Sequence, residues 1–262
     1  MKAAAISAKQ RERAKFAVLV RMELRPKARF TEDNPVQIHS LVIQSPLIRE
    51  VLSKVFDGHA NFNAAEDQPQ FEKPLKPFVH RWNQLQEAAK NEEDPETKEH
   101  LDLLIDAISP ELTGTLSTRD LCIQRDSITF SDLWMIFEPG KLVVATVDKT
   151  ECAYKLIKAE TVKNERGSWF VLECICTDWD GENFGKSTIS LAIGYFNGSA
   201  KISGLAAVPL ENHRNKEDLT KMLKRRGERF QELAMVKCMV YRGTAIDRTD
   251  PCEPRKIYVS HL

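Results

Sequence analysis

The chain has 262 residues, of which 42% are apolar and 29% are charged, the balance of an ordinary soluble globular protein. Lysine plus arginine and aspartate plus glutamate both number 38, so net charge gives no overall attraction to nucleic acid or to an anionic membrane. No apolar run reaches the roughly 18 residues that a membrane-spanning helix requires.

Cysteine usage and the basic start of the chain bear on the compartment. The six cysteines are scattered without a CxxC pair, which favours reduced thiols and an intracellular protein, cytoplasmic or nuclear. The first 29 residues hold nine lysines or arginines against two glutamates, a bias also found in mitochondrial targeting segments. We interpret residues 1–15 instead as a flexible basic arm that leads into a first strand, Phe16–Leu24.

The next elements are a strand and a helix. VQIHSLVIQ, at 36–44, has the β-branched and apolar character of a strand. SPLIREVLSKVF then begins a helix, with Ser45 as its N-cap and Pro46 at the first helical position. Gly58 ends this helix, and the polar, proline-containing segment 59–76 is predicted to be a surface loop.

Three further helices are predicted before the apolar residues begin to alternate at residue 141. One starts near Pro77, and another starts at Asp94 and Pro95, where an N-cap is again followed by proline. Their apolar faces consist of Phe78, Trp82, Leu85 and Ala89 in the first and Leu101, Leu104, Ile105 and Ile108 in the second. A short helix within 128–140 carries a capping box in Thr129 and Asp132.

From residue 141 the apolar residues alternate, as in strands, and short polar turns intervene. The predicted strands are 141–147, 152–162, 168–177, 186–196 and 199–208. Such short connections favour antiparallel neighbours. The predicted fold is therefore α+β, an antiparallel meander sheet or small barrel of about five to seven strands with several packed helices.

The last helix is predicted over roughly 215–234, and a closing strand follows it. The inward face of the helix consists of Leu219, Met222, Leu223, Phe230 and Leu233. We predict one α+β domain over 16–245, and we interpret 246–262, which has two prolines and no periodicity, as a linker or tail.

DWDGENFGKST, at 178–188, resembles a phosphate-binding loop of the form GxxxxGK[ST]. Gly185, Lys186 and Ser187 supply its end, but the first glycine of the motif is replaced by Asp180. The residues after Lys186 alternate as in a strand, whereas a phosphate-binding loop leads into a helix. We therefore predict a hairpin turn, and no cofactor.

Other residues that could carry chemistry are open to a structural interpretation. Three carboxylates in one loop, Asp178, Asp180 and Glu182, could bind a hard cation, but the later ligands of an EF-hand are missing and turn chemistry is favoured. Cys174 and Cys176 share one strand face and are interpreted as core thiols rather than zinc ligands. No metal site is predicted.

Nucleophilic catalysis has no sequence signature here. The six histidines form no HExxH or other close pair, so a Cys/His or Ser/His site would have to assemble in space. No catalytic residue is predicted.

The densest local positive charge is LKRRGER, residues 223–229, preceded by Lys221. Neighbouring acidic residues dilute it, which is typical of a solvated helix face, but an acidic protein partner or nucleic acid could also use it. The candidate partner-binding residues are Lys221, Lys224, Arg225, Arg226 and Arg229.

The order of short motifs carries one family resemblance. The series is VQIHS, SPLIREVL, KPFVHRWNQL, HLDLLIDAI, ITFSDLWMIFEPG, CTDWDGENFG, AIGYFNGSAKISGLAAVPLENH, LKRRGERF and YRGTA. Over residues 16–245 it resembles the N-terminal domain of unknown function of fungal AAA-type ATPases. The resemblance implies a fungal source and an accessory role beside a nucleotide-driven motor.

The chain departs from that family because its 262 residues contain no Walker A or Walker B motif and no arginine finger. The ATPase activity of the family is therefore not carried over. The leading hypothesis is a non-catalytic accessory module that binds an AAA ATPase core, in cis or in trans, or a protein client. The alternatives are a nucleic-acid-binding module that uses the basic arm and the 221–229 helix, and an enzyme whose site assembles only in three dimensions.

Overall fold

The structure is a computed structural model that describes residues 16–24, 36–59, 62–63, 66–147, 149–165, 167–234, 242–247 and 255–260. Contacts divide the chain into two compact units, the first comprising Met1–Cys176 with Lys186–Lys216 and the second Thr177–Gly185 with Glu217–Leu262. The predicted basic arm at 1–15 lies outside the described residues. The prediction of one domain over 16–245 stays a prediction.

The first unit begins with a three-stranded antiparallel sheet. Its strands are β1 (Val18–Leu24), β2 (Val36–Ile43) and β3 (Gln70–Glu72), in the order β1-β2-β3. The first two strands confirm the sequence prediction. The third corrects it, because β3 lies inside the predicted loop, where Phe71 turns inward and is only 5% exposed.

Four helices follow, α1 (Pro46–Val55), α2 (Lys76–His80), α3 (Trp82–Asn91) and α4 (Pro95–Gln124). The predicted caps are confirmed, since the Ser45 hydroxyl accepts the Ile48 N–H and the Asp94 carboxylate accepts the Thr97 N–H. The helix predicted from Pro77 is in fact two helices, because Arg81 leaves helical geometry at φ −121°.

A first hydrophobic core lies between β2 and the four helices. It is formed by buried residues that include Leu41, Ile43, Ile48, Leu52, Phe56, Phe78, Leu85, Leu101, Leu104 and Ile108. The apolar faces predicted for the helix from Pro77, which is now α2 and α3, and for α4 are therefore confirmed as the surfaces that these helices bury.

A five-stranded antiparallel sheet in the order β10-β5-β6-β7-β8 follows. Its strands are β5 (Leu142–Val147), β6 (Thr150–Asn164), β7 (Gly167–Trp179), β8 (Phe184–Gly194) and β10 (Ala207–Pro209). The α+β class with antiparallel sheets is confirmed, and the alternative of a closed barrel is wrong.

The predicted strand at 199–208 is broken, which removes it from the meander. Its start is β9 (Ser199–Ala200), paired with β4 (Ile128–Thr129), and its end is β10, paired with the outer edge of β5. A single 3-10 turn, Ile202–Gly204, lies between β9 and β10 in the chain. The Asp126 carboxylate fixes this turn by accepting the Ser203 N–H at 2.9 Å and the Ser203 hydroxyl at 2.7 Å.

A second core lies under the five-stranded sheet. Its buried residues include Ile128, Leu133, Phe137, Val143, Leu156, Phe170, Leu172, Cys174 and Ile193. The helix predicted within 128–140 is a 3-10 helix, Phe130–Met135, and the Thr129 hydroxyl bonds to the Asp132 carboxylate at 2.7 Å instead of to the backbone. Trp134 on this helix packs against both cores of the first unit.

The second unit contains most of α5 (Lys216–Leu233) and a hairpin of β11 (Arg242–Asp247) and β12 (Arg255–Ser260). Of the closing strand predicted at 236–245, the structure describes residues 242–245, which lie in β11. β12 lies within 246–262, and the interpretation of that segment as a linker or tail stays a prediction. No helix in the described part of the chain combines the length and apolarity needed to cross a membrane.

Candidate functional site

Helix α5 carries all five predicted partner-binding residues but does not place them on one face. At about 100° per residue, they follow one another around the helix in the order Lys224, Lys221, Arg225, Arg229 and Arg226, over an arc of about 200°. Arg226 is half-buried and the other four are exposed. The basic cluster of the sequence therefore spreads around more than half of the folded helix, with Lys224 at one end of the arc and Arg226 at the other.

The apolar face predicted for α5 is largely wrong. Leu219 is buried, but Met222, Phe230 and Leu233 keep 45%, 41% and 40% of their surface exposed. Met222, Arg226, Arg229 and Leu233 follow one another at a spacing of four, three and four residues, which places them along a single line on the helix. We call this line the α5 stripe.

The turn between β7 and β8 brings two further aromatic rings to the helix. Phe184 is 44% exposed, and its ring lies edge-on to that of Phe230, with centroids 5.7 Å apart. Trp179 packs on the other side of Phe184 at 4.9 Å. The surface made by these three rings and the α5 stripe lies entirely within the second unit.

The conformation of this turn follows from Asp180. One carboxylate oxygen of Asp180 accepts the Glu182 N–H at 2.8 Å and the Asn183 N–H at 2.7 Å, and these bonds lower the pKa of the Asp180 carboxyl. Gly181 has φ +108°, which a side chain would strain. The predicted hairpin turn is confirmed, and the chain continues from it as strand β8, not as a helix.

Ion pairs on α5 are exposed. Arg229 pairs with Glu232 at 2.7 Å, and Lys221 approaches Asp218 at 4.0 Å. Exposed pairs of this kind contribute little stability and exchange readily for other partners. The basic side chains of α5 can therefore turn to an acidic group on a second molecule.

The other groups singled out in the sequence are occupied in structural roles. Asp178 accepts the N–H of Trp179 at 2.9 Å, beside the Asp180 turn. Cys174 is buried, and burial followed by the neighbouring Cys176 raises its pKa to about 11. Among the described residues, no three histidine, cysteine, aspartate or glutamate side chains are grouped so that they could hold a metal ion.

Two histidines that lie 21 residues apart meet in the first unit, and no pattern in the sequence predicts their contact. His59 Nε2 lies 3.1 Å from His80 Nδ1, and His80 Nε2 lies 2.8 Å from the Trp134 carbonyl oxygen. A carbonyl oxygen only accepts hydrogen bonds, so His80 carries its proton on Nε2. The Nδ1 of His80 then accepts a hydrogen bond from the Nε2–H of His59. Both ring nitrogens of His80 are therefore engaged.

His80 also contributes to the wall of a polar cleft of about 470 Å3, together with Glu87, Arg119, Glu138 and Lys141. Several of these charges are already satisfied within the protein. Glu138 pairs with Arg81 at 2.7 Å, and Arg119 donates to the Val79 carbonyl at 2.5 Å. With both of its ring nitrogens engaged as well, His80 is not poised in this cleft as a general base.

A Ser/His contact also assembles in space. The Ser45 hydroxyl lies 2.9 Å from His100 Nδ1, but Ser45 is only 4% exposed and already accepts the Ile48 N–H as the cap of α1. A nucleophile must reach its substrate, and this hydroxyl is buried in a capping role. The contact is therefore structural.

Comparison with known proteins gives one match. A family described as a domain of unknown function (DUF7025) matches residues 118–214, from the last turns of α4 through the five-stranded sheet to β10 and the residues just after it. No curated protein and no solved structure matches the chain.

Proposed function

We propose that this chain is a non-catalytic protein-binding module and that the α5 stripe, with Phe184 and Phe230, is its docking surface. The observation that carries the proposal is the composition of that surface. Aromatic residues, methionine and arginine are the types enriched in protein interfaces, and here they are exposed together on one helix and its adjoining turn.

The partner we expect presents acidic groups beside apolar side chains. Phe184, Phe230 and Met222 offer apolar area for anchoring, and Arg225 and Arg229 flank that area with positive charge. Desolvated aromatic anchors supply affinity, while charges at the rim mainly steer and orient the partner. The motif order of the sequence leads us to place this partner in a fungal AAA-type ATPase or its protein client.

A direct test compares basic residues close to the α5 stripe with basic residues farther around the same helix. The chain is used to capture proteins from a fungal lysate with ATP or ADP present, and mass spectrometry identifies what is retained. We expect an AAA ATPase or its client to be captured in a nucleotide-dependent manner. R225E/R229E should abolish capture, because Arg229 belongs to the α5 stripe and Arg225 lies beside it.

The matched control is K221E/K224E, which makes the same change in charge on the same helix but farther around it from the α5 stripe. Capture that survives this change but not R225E/R229E supports the proposed surface. Equal loss in both variants would show that only net charge matters and would contradict the surface. Circular dichroism of each variant checks that α5 still forms.

The salt dependence of binding distinguishes the nucleic-acid alternative from protein binding. Phosphate contacts release counterions, so binding to nucleic acid would weaken steeply as salt rises. Tight, strongly salt-dependent binding to a mixed-sequence oligonucleotide that R225E/R229E removes would favour this alternative. ATP turnover by the pure chain, abolished by K186A, would instead overturn the non-catalytic assignment.

A further inference from the structure

Strand β1 presents an apolar row at the edge of the three-stranded sheet. β1 has β2 as its neighbour on one side, and among the strands that the structure describes none pairs with its other side. Val20, Met22 and Leu24 are exposed by 37%, 52% and 58%. An edge strand of this kind offers backbone donors and acceptors to a further strand.

The row continues the buried face of the sheet. Val20 lies opposite Leu41 on β2 and Met22 lies opposite Ile38, and these two partners are only 0% and 3% exposed. The apolar layer of the first core thus extends to the edge strand, where it meets solvent. A strand added there would bury side chains on the same layer.

The charges on β1 indicate which strand would pair with its outer edge. Arg21 and Glu23 lie on either side of Met22, so the sequence VRMEL is complementary to itself when read in the antiparallel direction. We propose that β1 pairs antiparallel with β1 of a second copy of this chain, with Met22 on the two-fold axis. Arg21 then faces the partner's Glu23, and Val20 faces the partner's Leu24.

Neighbouring registers are excluded by repulsion. With Met22 opposite the partner's Val20, the two Arg21 side chains face each other, and with Met22 opposite the partner's Leu24, the two Glu23 side chains do so. Like charges directly opposite are destabilising, and a one-residue slip would oppose apolar to charged side chains. Only the register with Met22 on the two-fold axis pairs apolar side chains on one face and opposite charges on the other. Such a contact is isologous, since each copy uses the same residues.

Glu23 can make the new contact without losing its present ones. Its two carboxylate oxygens bind Gln37 at 2.8 Å and His39 at 3.0 Å, and its side chain is 41% exposed. An ionised carboxylate has about four lone-pair positions. The partner's Arg21 can therefore add to a carboxylate whose orientation β2 already fixes.

The contact is small, so the dimer should be weak. A single short strand pair buries less than the roughly 1,000 Å2 of a stable interface. We therefore expect a reversible dimer that grows with concentration in sedimentation velocity experiments on the full chain.

Charge reversal tests the register. R21E should raise the dimer dissociation constant by about tenfold or more, because two attractive pairs become two repulsive pairs. E23R should do the same, and R21E/E23R should restore the dimer relative to either single variant, since each reversed charge again meets its opposite. Restoration is an outcome that general damage to the fold cannot produce.

A second pair of variants serves in case E23R disturbs the Gln37 and His39 contacts. V20K should abolish the dimer and V162K should leave it intact, because both valines are 37% exposed on strands but only Val20 lies on the edge row. A chain that stays monomeric at every concentration overturns the proposal. A dimer that persists in both R21E and V20K, or one that V162K also abolishes, overturns it as well.

Discussion

At the scale of single residues, burial keeps the hydrogen-bonded histidines His59 and His80 uncharged. Burial, followed by the proximity of His80 and Arg81, lowers the pKa of His59 to about 3. Burial also lowers the pKa of His80 to about 4, opposed in part by the Trp134 carbonyl, with Lys76, Arg119 and Arg81 adding repulsion. Both histidines are therefore neutral in the folded protein at neutral pH.

The pair predicts that the protein loses stability in mild acid. The folded pKa values lie below the ordinary value of 6.5, so below pH 6.5 the unfolded chain binds protons that the folded chain does not. The free energy of unfolding should be highest above pH 6.5 and should fall, between about pH 6 and 4, by about 1.4 kcal/mol per pH unit for each histidine. Urea denaturation across this pH range measures the slope.

H59Q/H80Q should flatten this pH dependence whatever its effect on stability at pH 7. An unchanged slope in H59Q/H80Q would mean that other groups control acid unfolding. No sequence pattern indicated the pair, because the two histidines lie 21 residues apart and meet only when α2 packs beside the turn after α1.

At the scale of elements, α4 shows how well an apolar pattern can predict burial. Leu101, Leu104 and Ile108 are each 0% exposed, as predicted, whereas Leu103, one position away from Leu104, is 54% exposed. The 3.6-residue period alone separates the two neighbouring leucines. Their environments differ while their chemistry is identical.

L104A and L103A therefore form a matched pair. L104A leaves a cavity in the first core and should lower the free energy of unfolding by about 2–5 kcal/mol. L103A removes only exposed surface and should change it by less than about 0.5 kcal/mol. Equal losses in chemical denaturation would contradict the placement of the α4 face.

The same pattern on α5 predicted an inward face that the structure leaves largely exposed. Periodicity identifies which residues share a face, but it does not say whether another element covers that face. The broken strand at 199–208 has a similar cause, because the Asp126 carboxylate that fixes the Ile202–Gly204 turn comes from a distant part of the chain. Local patterns predicted the elements, and long-range contacts decided which of them were covered or interrupted.

At the scale of the whole molecule, the first unit has two hydrophobic cores that a few residues connect. Trp134 packs against both, and Arg81 reaches from the α2–α3 junction to Glu138, which follows the 3-10 helix. The Arg81 guanidinium also donates to the Val55 carbonyl at 2.7 Å and to the Asp57 carbonyl at 2.8 Å. The Arg81 and Glu138 side chains are only 11% and 14% exposed.

R81M should destabilise the protein by about 3–5 kcal/mol, because it leaves the largely buried Glu138 carboxylate without its counter-charge. R81M/E138M should be less destabilised than the sum of the two single changes, by about 1–3 kcal/mol, since no lone charge then remains. The double variant should not recover fully, because the Val55 and Asp57 carbonyls still lose their donor.

K54M is the control for this cycle, since the Lys54–Glu50 pair on α1 is exposed and should contribute less than about 1 kcal/mol. Strict additivity of R81M and E138M in urea denaturation would show that the pair does not couple the cores. Non-additivity, together with a single transition seen by both tryptophan fluorescence and circular dichroism, would mean that the first unit unfolds as one body. The buried ion pair would then be a contact through which the two cores depend on each other.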